Sequence, residues 1–286
     1  MKILITGHRG FVGRYFMKKY EQHSVTGIDL KDGMDCRKFF QTDDTHYDLV
    51  IHLAAIVGGR ATIEGQPLAV ATDLSIDAEL CQWAIRSRPS RLVYFSSSAA
   101  YPIRLQQSAY RLRESDINLD HVDNPDMTYG WAKLTGEYCL QFIDPAHTRV
   151  MTFRPFSGYG TDQDLAYPFP SYIDRARGRS DPFDVWGDGT QVRDFIHIID
   201  VVDAVAEAIT QDITGPINLG SGIPVSFNDL CGMVCEQSGY TPEIRHHLDA
   251  PVGVRYRCSD NTKMLSFYRP RISLEEGIRR ALDNNR

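Results

Sequence analysis

Short apolar runs alternate with amphipathic segments along the first half of the chain. Segments with helical periodicity lie near residues 11–22, 68–87 and 128–143. Between them, five runs rich in β-branched residues are predicted to be strands: Lys2–Thr6, Val25–Asp29, Asp48–Ala54, Arg91–Ser97 and Arg149–Pro155. Several of these runs are apolar throughout, which is typical of strands that helices cover on both faces. The pattern therefore predicts an α/β fold with a doubly wound parallel sheet.

The second half of the chain differs in composition and contains more predicted loop. Residues Ser157–Pro170 and Arg179–Gln191 are rich in Gly, Pro and Asp and are predicted to be loops. Three helices are predicted beyond them: Ile198–Thr210, which we expect to return to the sheet, Ser226–Gly239, and Ser273–Leu282. Loops of this kind between few helices indicate a smaller lobe.

Composition narrows the class of protein. The chain has 286 residues, of which 42% are hydrophobic and 24% charged, as in ordinary globular proteins. The formal net charge of -6 offers no basic surface to nucleic acid or to an anionic membrane. The first ten residues lack the features of a signal peptide, so we expect a cytoplasmic protein. The six cysteines and nine histidines match no metal-ligand spacing, and no metal site is predicted.

A glycine-rich turn joins the first predicted strand to the first predicted helix. Its glycines, Gly7, Gly10 and Gly13, would permit a tight turn and let a pyrophosphate approach bare backbone at the helix N-terminus. Asp29 follows about twenty residues on, at the end of the second strand, where an acid can accept hydrogen bonds from ribose hydroxyls. The arrangement predicts dinucleotide binding, and turn glycines with only a structural role are the weaker alternative.

The same region bears on which dinucleotide is bound. Asp29 would repel a 2′-phosphate, which favours NAD over NADP. Arg9 argues the other way, because an arginine in the glycine turn could reach that phosphate. We predict NAD, with NADP less favoured. Asp35 could reach the adenine amine or be an ordinary loop aspartate.

These elements predict two parts of the chain. Residues 1–156 are expected to form an NAD-binding Rossmann core, to which elements near 193–220 return. Residues 157–286 are expected to form mainly a smaller substrate-binding lobe.

Tyr129 and Lys133 lie four residues apart in a predicted helix and would share one face. A nearby ammonium favours the phenolate form of a tyrosine, whose pKa is ordinarily about 10. The pair is either a proton-transfer device or a solvated surface pair, and its spacing alone leaves both open.

Several motifs together give the chain a family resemblance. GHRGFVG, HLAA (His52–Ala55), SSSAAYP (Ser96–Pro102) and YGWAK occur in that order. With them the chain resembles an extended short-chain dehydrogenase/reductase, and more narrowly the NAD-dependent nucleotide-sugar epimerase/dehydratase family. Similar segments continue through Phe153–Gly160, Trp186–Ala204, Ile217–Gly222 and Pro251–Met264, so the resemblance covers nearly the whole chain.

The resemblance implies a catalytic group of Ser97, Tyr129 and Lys133. Tyr129 would be the base and acid, Lys133 its electrostatic partner and a ligand of the nicotinamide ribose, and Ser97 would orient the reacting oxygen. Lys133 and the positive nicotinamide ring would together depress the pKa of Tyr129. The implied reaction is transient oxidation, in which the tyrosinate takes a proton from a sugar hydroxyl while hydride passes to NAD.

The resemblance also implies contacts with the cofactor and with a nucleoside-diphosphate sugar. Besides Tyr129 and Lys133, the expected cofactor contacts are Gly7, Arg9, Gly10, Phe11, Val12, Gly13, Asp29, Leu30, Asp35, Leu53, Ala54 and Ala55. Substrate contacts are expected from Ser98, from Ser157, and from the guanidinium groups of Arg193 and Arg255, which suit phosphate oxygens. Gly58–Gly59–Arg60 either line the sugar pocket or form a plain loop.

Residues that related reactions need are absent. Family dehydratases have an Asp-Glu pair directly after the serine, where this chain has Ser98–Ala99. The 3,5-epimerases have a cysteine and the decarboxylases a glutamate at the position of Ala99. The second acid/base lysine of the 3,5-epimerases would fall near Ala166–Tyr167, where Tyr167 is a speculative substitute. The chemistry that remains is 4-epimerisation, or a simple oxidation or reduction at C4.

Two further positions depart from the family pattern, because Ser157 and Asp73 both stand where relatives commonly have asparagine. We predict a nucleotide-sugar epimerase that acts through transient oxidation at C4. The alternatives are a 4,6-dehydratase or C4 oxidoreductase, and a non-catalytic nucleotide-sensing relative. RNA binding is disfavoured by the acidic charge. By resemblance, we also expect a homodimer formed through the helices near 68–87 and 128–143.

Overall fold

The computed structural model describes residues 1–56, 58 and 64–283. Its helices are α1 (Phe11–Lys19), α2 (Cys36–Thr42), α3 (Val70–Ser87), α4 (Met127–Leu140), α5 (Pro168–Arg177), α6 (Ile198–Gln211), α7 (Phe227–Ser238), α8 (Thr262–Leu265) and α9 (Leu274–Asp283). Its strands are β1 (Lys2–Thr6), β2 (Ser24–Ile28), β3 (Leu49–His52), β4 (Arg91–Phe95), β5 (Arg111–Leu112), β6 (Arg149–Pro155), β7 (Ser157–Tyr159), β8 (Phe183–Trp186), β9 (Val192–His197), β10 (Ile217–Leu219), β11 (Pro224–Ser226), β12 (Ile244–His247) and β13 (Tyr256–Ser259).

A six-stranded parallel sheet of order β10-β6-β4-β3-β1-β2 forms the centre of the molecule. Helices α1 and α6 bury one face of this sheet, and α2, α3 and α4 bury the other. All four residues of β3 are buried, as expected of an apolar run covered on both faces. The predicted doubly wound α/β fold is confirmed.

The ends of two predicted strands differ from the structure for local reasons. β2 stops at Ile28 because Asp29 leaves the sheet to cap a 3₁₀ turn, Leu30–Asp32. β3 stops at His52 because the next two amides, of Leu53 and Ala54, both donate to Thr6. Both strands therefore end beside the glycine-rich turn.

The second half of the chain builds another sheet, of order β11-β9-β13-β5, with β7 also paired to β9. Helices α5, α7 and α9 pack around a separate apolar cluster beside it. Of the predicted helices there, α7 begins at the Ser226 cap and ends at a left-handed Gly239, as expected. The prediction of loops over 157–170 and 179–191 is wrong in part, because β7, the start of α5, and β8 lie there. These strands are short and pair with distant segments, as β8 does with β12, so local composition does not reveal them.

The two sheets exchange strands. β10 returns to the central sheet beside β6, and α6 packs against α1 in the same apolar cluster. In the other direction, β5 leaves the first half of the chain and pairs with β13. The division of the chain near residue 156 stays a prediction.

No helix within residues 1–56, 58 and 64–283 combines the length and the apolar character needed to cross a bilayer. Nor do the described residues contain a group of three or more His, Cys, Asp or Glu that could hold a metal ion. All six cysteines are free.

Candidate active site

The glycine-rich turn lies at the carboxyl end of β1, where its backbone is tightly constrained. Gly7 has a left-handed φ of 70°, and its carbonyl accepts the Gly10 amide at 2.9 Å. A Cβ at Gly13 would overlap the Gly7 carbonyl oxygen, so α1 can approach the turn only with glycine there. Phe11 and Val12 open α1 directly after the turn. The result is bare backbone before a helix N-terminus, which suits a pyrophosphate.

Asp29 shapes this turn from the end of β2. Its carboxylate accepts the amides of Arg9 and Lys31, each at 2.9 Å. The guanidinium of Arg9 is paired with Asp32, whose other oxygen lies 3.1 Å from Nε2 of His8. Arg9 therefore already has a carboxylate partner, and the Asp29 carboxylate would repel a 2′-phosphate. This favours NAD, as predicted.

The other expected cofactor contacts surround the same edge of the sheet. Leu30 is largely exposed on the turn after Asp29, and Leu53, Ala54 and Ala55 follow β3. Asp35 instead caps α2 and pairs with Arg37, which holds the pKa of its carboxyl below the ordinary value. An adenine contact by Asp35 stays a prediction.

Ser97 and Tyr129 are brought together by close packing of α4. Ser97 caps the 3₁₀ turn Ser98–Ala100 that follows β4, and its hydroxyl accepts the Ala99 amide at 3.1 Å. A Cβ at Gly130 would overlap the Ala99 carbonyl oxygen, so glycine at this position lets α4 sit directly on the turn. The neighbouring Tyr129 then lies close to the Ser97 hydroxyl, whose interaction with the ring oxygen favours the phenolate.

Lys133 lies one turn further along α4 and is buried, with 3% of its surface exposed. Its Nζ is 5.9 Å from the centre of the Tyr129 ring and 5.2 Å from that of Tyr94. The ammonium also acts electrostatically on two aspartates of α3, Asp73 and Asp77, and favours the ionised form of each. Lys133 is therefore shared between the tyrosine and a pair of carboxylates.

That Lys133 and a bound nicotinamide together depress the pKa of Tyr129 stays a prediction, and the chain's own groups act in the other direction. Burial raises the pKa of Tyr129 well above its ordinary value, and the negative charges of Asp73 and Asp77 add to the rise. The Ser97 hydroxyl and the charge of Arg257 oppose this rise but do not prevail. The main physical reason is the burial of the phenol, and the two carboxylates act in the same direction.

The expected substrate residues are spread over both halves of the chain. Ser98 is buried in the 3₁₀ turn, and Ser157 opens β7 beside β9. Arg193 donates from its guanidinium to the carbonyls of Val192, Val254 and Val252 at 2.8, 2.8 and 3.1 Å. Arg255 follows this loop and is exposed. Of Gly58–Gly59–Arg60, the last two lie outside the described residues.

Two more side chains face Tyr129. Tyr167, the cap of α5, interacts with Tyr129, and burial followed by this interaction raises the pKa of Tyr167 to about 12. Arg257 of β13 also acts on Tyr129 and pairs with Asp126 at 2.5 Å. Arg257 escaped prediction because it is remote in sequence, and its neighbour Arg255 drew attention instead.

Three comparisons with known proteins bear on this site. The model of the NAD dependent epimerase/dehydratase family matches residues 3–220. The chain is 30% identical to GDP-mannose 3,5-epimerase of Arabidopsis thaliana, over 98% of this chain and 80% of the relative. It is 27% identical to GDP-L-fucose synthase of Azorhizobium caulinodans, over 97% and 94%. UDP-glucuronic acid 4-epimerase of Bacillus cereus, solved with UDP-glucuronic acid and NAD, superposes with a TM-score of 0.81 at 25% identity, over 99% of this chain and 98% of that one.

Proposed function

The chain belongs to the NAD-dependent epimerase/dehydratase family, and we propose that it is a nucleotide-sugar epimerase that oxidises its substrate transiently at C4. The family resemblance seen in the sequence is confirmed. The observation that carries the proposal is the close packing of α4 on the turn after β4, which brings Tyr129 beside the Ser97 hydroxyl with Lys133 one helical turn away. All three residues stand at the edge of the sheet that also holds the glycine-rich turn.

The residues present fit NAD. A Cβ at Gly13 would overlap the backbone of Gly7 and His8, so only glycine lets α1 close on the turn, and a pyrophosphate would bind at this helix N-terminus. Asp29 would accept hydrogen bonds from the ribose hydroxyls, and Lys133 would donate to the nicotinamide ribose. When bound, NAD supplies the acceptor and later the donor of a hydride.

The chain's own residues move the proton. Tyr129 takes it from the C4 hydroxyl of the sugar and returns it when the oxygen is reduced. Ser97 donates a hydrogen bond that fixes the reacting oxygen, and the burial of this region excludes water from the exchange. Inversion requires that the keto sugar turn over between the two steps and meet the hydride on its other face.

The side chains beside Ser97 favour epimerisation over elimination. Ser98 and Ala99 occupy the positions where family dehydratases have two acids, and both are buried in the 3₁₀ turn. Ala99 also stands where family 3,5-epimerases have a cysteine, which favours C4 over C3 and C5 as the centre that is inverted. A C4 oxidoreductase remains the second candidate, because it needs the same three residues.

A nucleoside diphosphate is the proposed handle of the substrate. The curated relatives are named for GDP-sugars, and the Bacillus cereus structure holds UDP-glucuronic acid. Arg255 is exposed beside the loop that Arg193 fixes, where its guanidinium can meet phosphate oxygens. Arg193 would then support the site mainly by holding this loop.

A panel of UDP-, GDP-, CDP- and dTDP-sugars tests the function. We expect one of them to yield its C4 epimer with no net formation of NADH. A stable 4-keto product or stoichiometric NADH would instead identify a dehydratase or an oxidoreductase. If no sugar is converted while NAD is bound, the non-catalytic alternative is favoured.

A homodimer through α3 and α4 is also proposed. Large apolar side chains are exposed on these two helices: Leu74, Ile85, Trp131, Tyr138 and, on the turn after α4, Phe142. Phe142 is 70% exposed and stacks edge-on against Tyr138, which leaves an apolar surface that a second copy could cover. Sedimentation equilibrium should give twice the chain mass, and Phe142→Glu combined with Ile85→Glu should give a monomer; a monomeric wild-type protein contradicts the proposal.

We place the protein in the cytoplasm. Six free cysteines, four of them buried, fit a reducing compartment. Fractionation of cells that express the tagged chain should recover it with cytosolic markers.

A further inference from the structure

Two matched pairs of side chains face each other across the packed helices α3 and α4. Asp73 and Asp77 lie one turn apart on α3, and Tyr129 and Lys133 lie one turn apart on α4. The aspartates are 1% and 5% exposed. Two carboxylates therefore share the buried space around one ammonium and one phenol.

The two aspartates are not equally satisfied. Asp77 accepts the Tyr94 hydroxyl at 2.6 Å and lies 3.4 Å from Nε2 of His52. Asp73 accepts a single hydrogen bond, from the Ile56 amide at 2.5 Å, and its second oxygen is buried without a hydrogen-bond partner in the described structure. An unsatisfied buried carboxylate is costly, so its presence calls for a functional explanation.

We propose that Asp73 is a positioning residue that tunes the base strength of Tyr129: its ionised carboxylate offsets Lys133 and adds to the burial that keeps Tyr129 a phenol before a positively charged oxidised nicotinamide enters the site. The inference rests on the proposed role of Tyr129 as the base. It makes proton abstraction depend on the cofactor being present in the form that can accept a hydride.

The charged and titratable groups around Tyr129 set this balance. α3 contributes Asp73 and Asp77, α4 contributes Lys133, and β13 contributes Arg257. The uncharged groups are the Ser97 hydroxyl and the phenols of Tyr94 and Tyr167, while His52 beneath Asp77 is kept neutral because burial lowers its pKa. Each aspartate has one buried oxygen without a hydrogen-bond partner in the described structure, but that of Asp77 lies 3.4 Å from Nε2 of His52, whereas Asp73 has only the Ile56 amide. Because Arg257 is already paired with Asp126, Lys133 is the cation on which both aspartates act.

Asp73 is also the member whose charge can change. Burial raises the pKa of Asp73 to about 6, although Lys133 opposes the rise. For Asp77 burial acts in the same direction, but His52, Lys133 and Tyr94 outweigh it and hold the pKa below the ordinary value. Asp77 is therefore a fixed charge, and Asp73 a variable one near neutral pH.

Titration of Tyr129 in the cofactor-free protein tests the proposal directly. Tyrosine labelled with ¹³C at Cζ gives an NMR signal for each ring, and Tyr129→Phe identifies the signal of interest. Asp73→Asn keeps the shape of the side chain and the Ile56 hydrogen bond but removes the charge. The matched control is Glu79→Gln, which removes a charge from the same helix. Glu79 accepts a hydrogen bond from Gln41 of α2.

We expect Asp73→Asn to lower the titration midpoint of Tyr129 by about one pH unit and Glu79→Gln to leave it in place. In the wild-type protein, the Tyr129 signal should also show a small step near pH 6 as Asp73 ionises, and this step should vanish in Asp73→Asn. An unchanged midpoint in a folded Asp73→Asn protein, or a wild-type signal without the step, overturns the proposal.

The cofactor arm completes the test. Saturating NAD should lower the Tyr129 midpoint in both proteins, and the midpoint of Asp73→Asn should stay below that of the wild type, because the two charges act on the phenol independently. Equal midpoints in the two NAD-bound proteins contradict the proposed role of Asp73. These measurements need no substrate. A failure of the nucleotide-sugar panel would refute the proposed function, whereas only the titrations can refute this inference.

Discussion

Asp73 and Asp194 are both buried aspartates, yet their surroundings differ completely. Asp194, on β9, is 0% exposed and accepts hydrogen bonds from the amides of Ser221, Gly222 and Ser259 and from both serine hydroxyls. Asp73 is equally buried but accepts one. We call the Asp194 group, formed by Asp194, Ser221, Gly222 and Ser259, the carboxylate clamp.

The difference shows how burial of a charge can serve two purposes. In the carboxylate clamp, donors repay the cost of desolvation and join three segments of the second lobe, so the charge holds structure together. Around Asp73, a single donor offsets only part of the cost of desolvation, and the negative charge acts on Lys133 and Tyr129 instead. The clamp therefore stabilises the fold, whereas Asp73 trades stability for control of the active site.

Replacing the base should have the largest effect and should mark the α3–α4 region as functional. Tyr129→Phe removes the hydroxyl that carries the proton and should lower the turnover of the active nucleotide sugar by about 10²- to 10⁴-fold. NAD retention and the free energy of unfolding should change little. Full activity in this variant would exclude Tyr129 as the base.

Breaking the carboxylate clamp should instead cost stability. Asp194→Ala leaves several buried donors without an acceptor and should lower the free energy of unfolding by about 3–5 kcal/mol, measured by urea denaturation. Asp174→Ala, at an exposed position on α5, is the control and should change little. A loss of activity without a loss of stability would contradict the structural role given to the clamp.

At Asp73, removal of the charge is expected to raise the free energy of unfolding rather than lower it. The pKa of Asp73 is raised from 3.8 to about 6 in the folded protein, so the fold binds this proton more tightly than the unfolded chain does. Wild-type stability should therefore fall as the pH rises from about 4 to about 6, by about 3 kcal/mol in full.

Asp73→Asn should remove this loss, making the variant more stable than the wild type above pH 6 and equal to it near pH 4. Urea denaturation at a series of pH values measures the difference. Destabilisation by Asp73→Asn at pH 7 would mean that Asp73 resembles Asp194 after all.

Glu79→Gln should have the smallest effect of these substitutions. Glu79 lies on the same helix as Asp73 but is only partly buried, and one hydrogen bond to Gln41 engages it. The substitution should change the free energy of unfolding by no more than about 0.5 kcal/mol and leave turnover unaltered. A larger change would show that loss of any charge from α3 alters stability or turnover, which would contradict the specific role given to Asp73.

The sequence allowed the central sheet and the meeting of Ser97 with Tyr129 to be foreseen, because apolar runs and local motifs encode them. It did not reveal that two buried aspartates act on Tyr129 and Lys133. The helical spacing places Lys133 beside Tyr129, but Asp73 and Asp77 reach Lys133 only when α3 packs on α4. Arg257 enters by pairing of β13 with β9, which no local pattern encodes.

The second lobe was harder to predict for a related reason. Its strands are three or four residues long in β7, β8 and β12, and their partners lie far along the chain. Runs this short leave little periodicity to read, and their Gly and Pro content resembles that of loops.

The fate of the hydrogen at C4 tests the central claim most directly. The nucleotide sugar that turns over in the panel can be prepared with deuterium at C4 and incubated with the NAD-bound protein. We predict that the C4 epimer forms with deuterium still at C4 and without accumulation of NADH, as mass spectrometry and absorbance at about 340 nm would show. Deuterium lost to solvent, or left on a reduced cofactor beside a keto product, would contradict transient oxidation at C4.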